Sequence, residues 1–176
     1  PYAGFFQKMK LCDVFVILDE VQLEWGRTQR NRIISSEGVP QWFRMPVARK
    51  SKFSKINEVK IDYDNDFPRL LEQLKVYEGS THFEKFYNFF ENLDQYEYLH
   101  EVNLEIIMKI ASMLKIDTKI VRQSRLDVNS SSTQRLVDIC NVLGADKYLS
   151  GQGGKNYMDE SLFKDIQVEY QKYEPI

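Results

Sequence analysis

Asp13-Val14-Phe15-Val16-Ile17-Leu18-Asp19-Glu20 sets an unbroken apolar run between polar ends. A strand with one wet face alternates apolar and polar residues. A run without alternation is how a strand covered on both faces looks, and such strands belong to parallel sheets flanked by helices. Upstream, Phe5, Phe6, Met9 and Leu11 fall at spacings that suit a short amphipathic helix over residues 2–12. The last third of the chain alternates in type. Residues 119–121 read as a strand. Residues 130–133 offer N-caps to a helix bearing Leu136, Val137, Ile139, Cys140 and Leu143, and Gly144 suits its end. Tyr148 and Leu149 then read as a strand, and residues 166–170 as another. Strand, helix, strand in this order implies a right-handed parallel crossover. The expected fold is therefore α/β: a mainly parallel sheet with crossover helices, nucleotide-binding and Rossmann-like, holding residues 13–18, 119–121 and 147–150 together.

Between these parts the pattern changes. Residues 21–37 are polar with little period and read as an irregular loop. Residues 39–47 are strand-like, with Pro40 and Pro46 marking ends or an edge, and Ile56, Val59 and Ile61 suggest a further short strand. Residues 65–115 read as a helical insertion. Asp66 is placed to cap a helix with Pro68 in its first turn and Leu70, Leu71 and Leu74 along its apolar stripe; Gly79 can end it. Thr81 with Glu84 has the form of a capping box ahead of Phe83, Phe86, Tyr87, Phe90 and Leu93. Leu104, Ile107, Met108, Ala111 and Leu114 mark a third helix. The aromatic stripe is read as packing between helices rather than as a ligand wall.

Composition limits the function classes. At 176 residues the chain suits one domain, residues 1–176, and 43% hydrophobic content is enough for a packed core. A net charge of −2 does not imply broad capture of nucleic acid. Cys12 and Cys140 both lie in apolar surroundings and read as buried thiols of a reducing, cytoplasmic compartment. No apolar run approaches the ~20 residues of a membrane span. His82 and His100 are far apart and lack Cys or carboxylate neighbours at ligand spacing, so no metal site is expected. The chain begins at Pro1 and reads as a piece of a longer protein.

Two loops carry the candidate chemistry. Ser150-Gly151-Gln152-Gly153-Gly154-Lys155 closes a strand with glycines and a lysine and leads toward a helix. Backbone N–H groups can approach a phosphate where no side chain intervenes. The loop fits neither common phosphate-loop spacing, and a tight turn needing positive φ is the alternative. The second loop holds Arg27-Thr28-Gln29-Arg30-Asn31-Arg32, a cationic clamp for an anion or else a solvated basic loop. Asp19 and Gln22 follow the first strand, where ligands bind in open parallel sheets. Trp25 and Trp42 flank the region, as stacking surfaces or as core. Lys155 and Asp19 are the expected catalytic residues. Gln22, Arg30, Asn31, Arg32, Ser150, Gly151, Gly153 and Gly154 are the expected binding residues.

Residues 13–22, Arg30-Asn31-Arg32-Ile33, Gln41-Trp42 with Met45-Pro46-Val47, Ile56 through Ile61, and residues 148–154 with Tyr157 together resemble the WbqC-like family, in order and across nearly the whole chain. That family is similar in turn to nucleotide-binding adenylate-forming enzymes such as pantothenate synthetase. The resemblance implies a role in bacterial surface-polysaccharide (O-antigen or capsule) clusters. It implies a nucleotide sugar as partner, a nucleotide such as ATP as co-substrate, and acyl or aminoacyl transfer to an activated amino sugar. A non-catalytic nucleotide-sugar-binding or scaffolding protein is the alternative.

Overall fold

The computed structural model describes residues 2–48, 53–64 and 67–173. The chain divides into two compact units, one of residues 1–19 with 109–176, the other of residues 20–108.

The first unit is mixed α/β. Helix α1 (Ala3–Lys10) leads into β1 (Val14–Ile17), which pairs in parallel with β4 (Lys119–Arg122), Phe15 opposite Ile120. Helix α5 (Ser132–Leu143) crosses from β4 to β5 (Lys147–Ser150), and β5 pairs in parallel with β6 (Gln167–Tyr170). Gly144 ends α5 at φ +65°, a left-handed position that glycine takes without strain. The core of this half is α5 packed on the β5–β6 pair through Leu136, Val137, Cys140, Phe163 and Ile166.

Parallel pairing is as expected, but one expectation is corrected. β1–β4 and β5–β6 are separate two-stranded sheets, and no ladder among the described residues joins them. Each strand has only four residues. Side chains make the link instead, because Leu18, just past β1, packs into the cluster around α5. The predicted caps of α5 are corrected too. Ser131 at its N-cap makes no side-chain cap bond; the Ser130 hydroxyl instead donates to Asp138, and Thr133 Oγ1 accepts from the Asp159 N–H at 3.1 Å.

The second unit joins a β-hairpin to helices. β2 (Arg30–Ile34) and β3 (Pro40–Arg44) pair antiparallel, with Arg30 opposite Arg44 and Arg32 opposite Trp42. The presumed irregular loop thus contains a strand, hidden because its period-2 face is made of arginines. Residues 56–61, expected as a strand, form a 3₁₀ turn at Ile56–Glu58 and isolated bridges at Lys60 and Ile61. Helices α2 (Phe67–Leu74), α3 (Phe83–Glu91) and α4 (Leu99–Met113) follow. The cap assigned to Asp66 lies outside the described residues. The Thr81–Glu84 capping box does not form: α3 starts after His82, which makes no side-chain cap bond. Phe90 is buried, with its ring 5.4 Å from that of Phe43 on β3, so the hairpin and α3 share one core with Leu23, Met45, Val59 and Leu93. Met108 and Leu114, expected in the apolar stripe, are exposed, whereas Leu99, Val102 and Ile107 are buried. Ile107 and Ala111 are buried as expected, and Leu99 and Val102 extend the same stripe toward the start of α4.

Phe90→Ala is expected to cost ~3–5 kcal/mol of unfolding free energy, the usual loss for a buried aromatic. Phe86→Ala, at a half-buried position, is expected to cost clearly less. Equal losses in denaturant unfolding would contradict this placement of the core.

Candidate functional site

Every strand of the first unit ends on a polar residue withdrawn from water. Asp19 follows β1 and Gln123 follows β4, each only 1% exposed; Ser150 closes β5 and Gln171 follows β6, both buried. Carboxyl ends of parallel strands are where α/β folds present ligand-binding groups.

At the β1–β4 end, the two carboxylate oxygens of Asp19 accept from Ser124, one from its N–H at 2.9 Å and one from its hydroxyl at 2.6 Å. The carboxylate thereby anchors the 3₁₀ turn Gln123–Arg125 onto the end of β1. Beside it, the Gln123 Oε1 is buried and receives no hydrogen bond. A buried acceptor left without a donor costs about 1–3 kcal/mol.

At the β5–β6 end, Gln171 is the connecting group. Its N–H donates to the Ser150 carbonyl at 2.8 Å. Its side-chain amide donates to the Gly4 carbonyl at 2.8 Å and also to Gln7 of α1. Its own carbonyl accepts from the Gln152 side chain at 2.6 Å, which fastens the glycine loop. That loop is a 3₁₀ turn, Gln152–Asn156, and a second one, Glu160–Phe163, follows; the α-helix expected beyond the loop does not form. None of Gly151, Gly153 and Gly154 has positive φ, so the tight-turn reading does not explain these glycines. Gly154 is required by space: a Cβ there would lie 2.2 Å from Ser150 Oγ. Its N–H is spent on the Gly151 carbonyl at 3.0 Å, whereas a Cβ at Gly153 would meet nothing within 4 Å. Lys155 is exposed, its ammonium 4.8 Å from the centre of the Tyr170 ring. Tyr170 donates its hydroxyl to Glu160 Oε1 at 2.6 Å, and that bond, together with some desolvation and the Glu160 charge, pushes its pKa up to about 12. The phenol therefore stays neutral at physiological pH, and Lys155 rests on an uncharged ring.

In the second unit, Gln22 is exposed and its backbone bridges Lys55. Asn31 Oδ1 accepts from the Arg32 N–H at 2.9 Å. Arg30 and Arg32 share the hairpin face that carries Trp42 and Arg44. The Arg30 guanidinium carbon stacks 3.8 Å from the Trp42 ring centre, and that of Arg32 lies at 5.0 Å. Trp42 is therefore a platform for arginines, 43% exposed, and not core.

Sequence reasoning missed Gln123, Ser124 and Gln171. The available signal was position, since Gln123 and Gln171 come just after segments read as strands. It also missed Arg44, which the hairpin register places opposite Arg30. Among the described residues no three His, Cys, Asp or Glu side chains gather as a metal ion would need, and no helix is long and apolar enough to cross a membrane.

A family model described as the WbqC-like protein family matches residues 1–176, so the chain belongs to that family. It is 28% identical over 176 residues to Rv1507c of Mycobacterium tuberculosis, a protein described as uncharacterized; the match covers 96% of this chain and 75% of the relative. No solved structure matches it.

Gly154→Ala is expected to destabilise the fold by ~1–3 kcal/mol, the range for overpacking a filled site. Adding Ser150→Ala should recover much of that loss, because the next contact is at 3.4 Å, and Gly153→Ala should be nearly silent. A double-mutant cycle by thermal or denaturant unfolding reads the coupling; additive losses would contradict the Ser150 contact.

Proposed function

We propose that this protein is a sugar-modifying enzyme of bacterial surface-polysaccharide biosynthesis, transferring an acyl or aminoacyl group to the amine of an activated sugar in the cytoplasm. Membership of the WbqC-like family supports the setting. The observation that carries the reading is the buried Gln123 Oε1 without a donor, beside Asp19 at the carboxyl end of β1–β4. An acceptor held dry and unfilled suits a hydroxyl or ammonium group of a ligand. In this reading Asp19, with both oxygens engaged by Ser124, positions the Gln123 turn rather than taking a proton. The sugar amine attacks the acyl carbonyl, the new C–N bond forms as the acyl–oxygen bond breaks, and the amine proton passes to solvent or to the departing phosphate. Lys155 and the Gly153 N–H face the departing anion, with Ser150 and Gly151 shaping that loop. The second unit is read by itself: there Arg30 and Arg32, with Asn31 between them on β2 and Gln22 upstream, take the phosphates of a phosphorylated ligand. Positioning and fixed charge do most of the work in such a transfer.

A second reading is favoured by the same Asp19 geometry. A carboxylate committed to Ser124 is a poor general base, which suits a non-catalytic nucleotide-sugar-binding protein of glycan assembly. Calorimetric titration with nucleotides and nucleotide sugars tests the shared part of both readings. Wild type should bind a nucleotide sugar, and Gln123→Leu should lose about 2- to 13-fold in affinity if the ligand donor is neutral and about 13- to 150-fold if it is charged. Full affinity in the variant would remove Gln123 from the site. Mass spectrometry of an amino-sugar acceptor after incubation with an acyl donor separates the two readings, since only the enzyme adds the acyl mass.

A further inference from the structure

The residues that follow the Gly26 turn hold donors that the fold does not use. Gly26 has φ +84°, and its N–H donates to the Gln29 side-chain carbonyl at 3.1 Å. Gln29 is 4% exposed, and its Nε2 is buried without an acceptor. The next residue repeats the pattern: Arg30 Nε is buried without an acceptor. Both groups lie beside Gly26, since a Cβ built there would be 3.3 Å from the Arg30 guanidinium carbon. The guanidinium is thus held between the Gly26 backbone and the Trp42 ring at 3.8 Å. Stacking fixes its plane and supplies no acceptor.

Charge adds to this. Arg44 stands directly opposite Arg30, and Arg32 shares their face. Like charges facing each other across a strand pair are destabilising. The chain has 26 acidic residues against 24 basic ones, yet among the described residues none of these three arginines forms an ion pair. Arg27, by contrast, pairs with Glu24 at 2.8 Å.

We propose that Gln29, Arg30, Arg32, Trp42 and Arg44 form a diphosphate-binding site, with Gln29 Nε2 and Arg30 Nε as its buried donors and Arg32 and Arg44 as its outer cations. The ligand is the diphosphate of a phosphorylated small molecule. The inference rests on the reading above that Arg30 and Arg32 take phosphates, and adds the residues that make the contact selective. A diphosphate offers enough oxygens for several donors at once, and two to three negative charges to set against the three arginines. A single carboxylate offers two oxygens and one charge. The planar guanidinium fork matches phosphoryl oxygens in pairs, which a lysine cannot reproduce. An overall charge of −2 does not imply broad capture of a nucleic acid.

Isothermal titration of the intact protein with inorganic pyrophosphate tests this, with inorganic phosphate and sulfate in parallel. One saturable site is expected, with pyrophosphate the tightest of the three. Arg30→Lys and Gln29→Glu should each weaken pyrophosphate binding by about 10- to 150-fold, the worth of one charge-assisted contact. Two results would overturn the proposal: no saturable pyrophosphate binding by wild type at millimolar concentration, or equal affinity in wild type and both variants with binding lost only to salt. Pyrophosphate carries no sugar, so its binding reports this site alone. If pyrophosphate binds and no nucleotide sugar does, the enzymatic reading fails while the diphosphate site stands.

Discussion

Gln171 fastens the candidate site of the first unit to its fold. Through one buried side chain and its backbone it reaches the end of β5 at Ser150, the glycine loop at Gln152, and α1 at Gly4 and Gln7. Burying an amide costs free energy unless its polar groups are bonded, and here the side-chain NH2, the backbone N–H and the backbone carbonyl are bonded by three separate segments. The loop that carries Lys155 is thus set by the end of a strand, not by the helix that usually follows such loops. Gly154 belongs to the same arrangement. Its missing side chain lets the 3₁₀ turn fold back onto Ser150.

The other parallel pair solves the same problem with a charge. Asp19 is withdrawn from water and compensated by two donors of one residue, Ser124. A buried carboxylate is tolerated when its oxygens are bonded. The turn it organises leaves Gln123 Oε1 buried and unfilled. A satisfied anchor beside an unsatisfied acceptor is an arrangement in which local stability is given up for a binding group, as functional sites commonly show.

In the second unit the analogous imbalance is one of donors. Trp42 orders Arg30 by stacking, and the hairpin register adds Arg44 and Arg32 to the same face. The opposite face supplies Phe43 to the core with Phe90, so the two faces of one five-residue hairpin divide the work between stability and charge. Tyr77 supports this from α2's side of the core, where its hydroxyl accepts the Ile34 N–H at 2.9 Å at the end of β2.

Much of this was legible in the sequence. The unbroken apolar run before Asp19, the crossover helix closed by Gly144 and the polar stops after short strands follow from burial and from backbone sterics, which act locally. They gave parallel pairing and the mixed α/β class of the fold, and they put Asp19 and Ser150 at strand ends. The β2 strand was hidden because its outward face is arginine, and hydrophobic period is blind to a strand whose pattern is charge. The split of the parallel strands into two pairs, the failure of the Thr81 cap and the 3₁₀ turn after Gly151 depend on which neighbours arrive from far along the chain. So do the donors without acceptors at Gln29 and Arg30 and the empty acceptor at Gln123. Whether a polar group is satisfied is a property of its surroundings in space, and only the tertiary structure decides it.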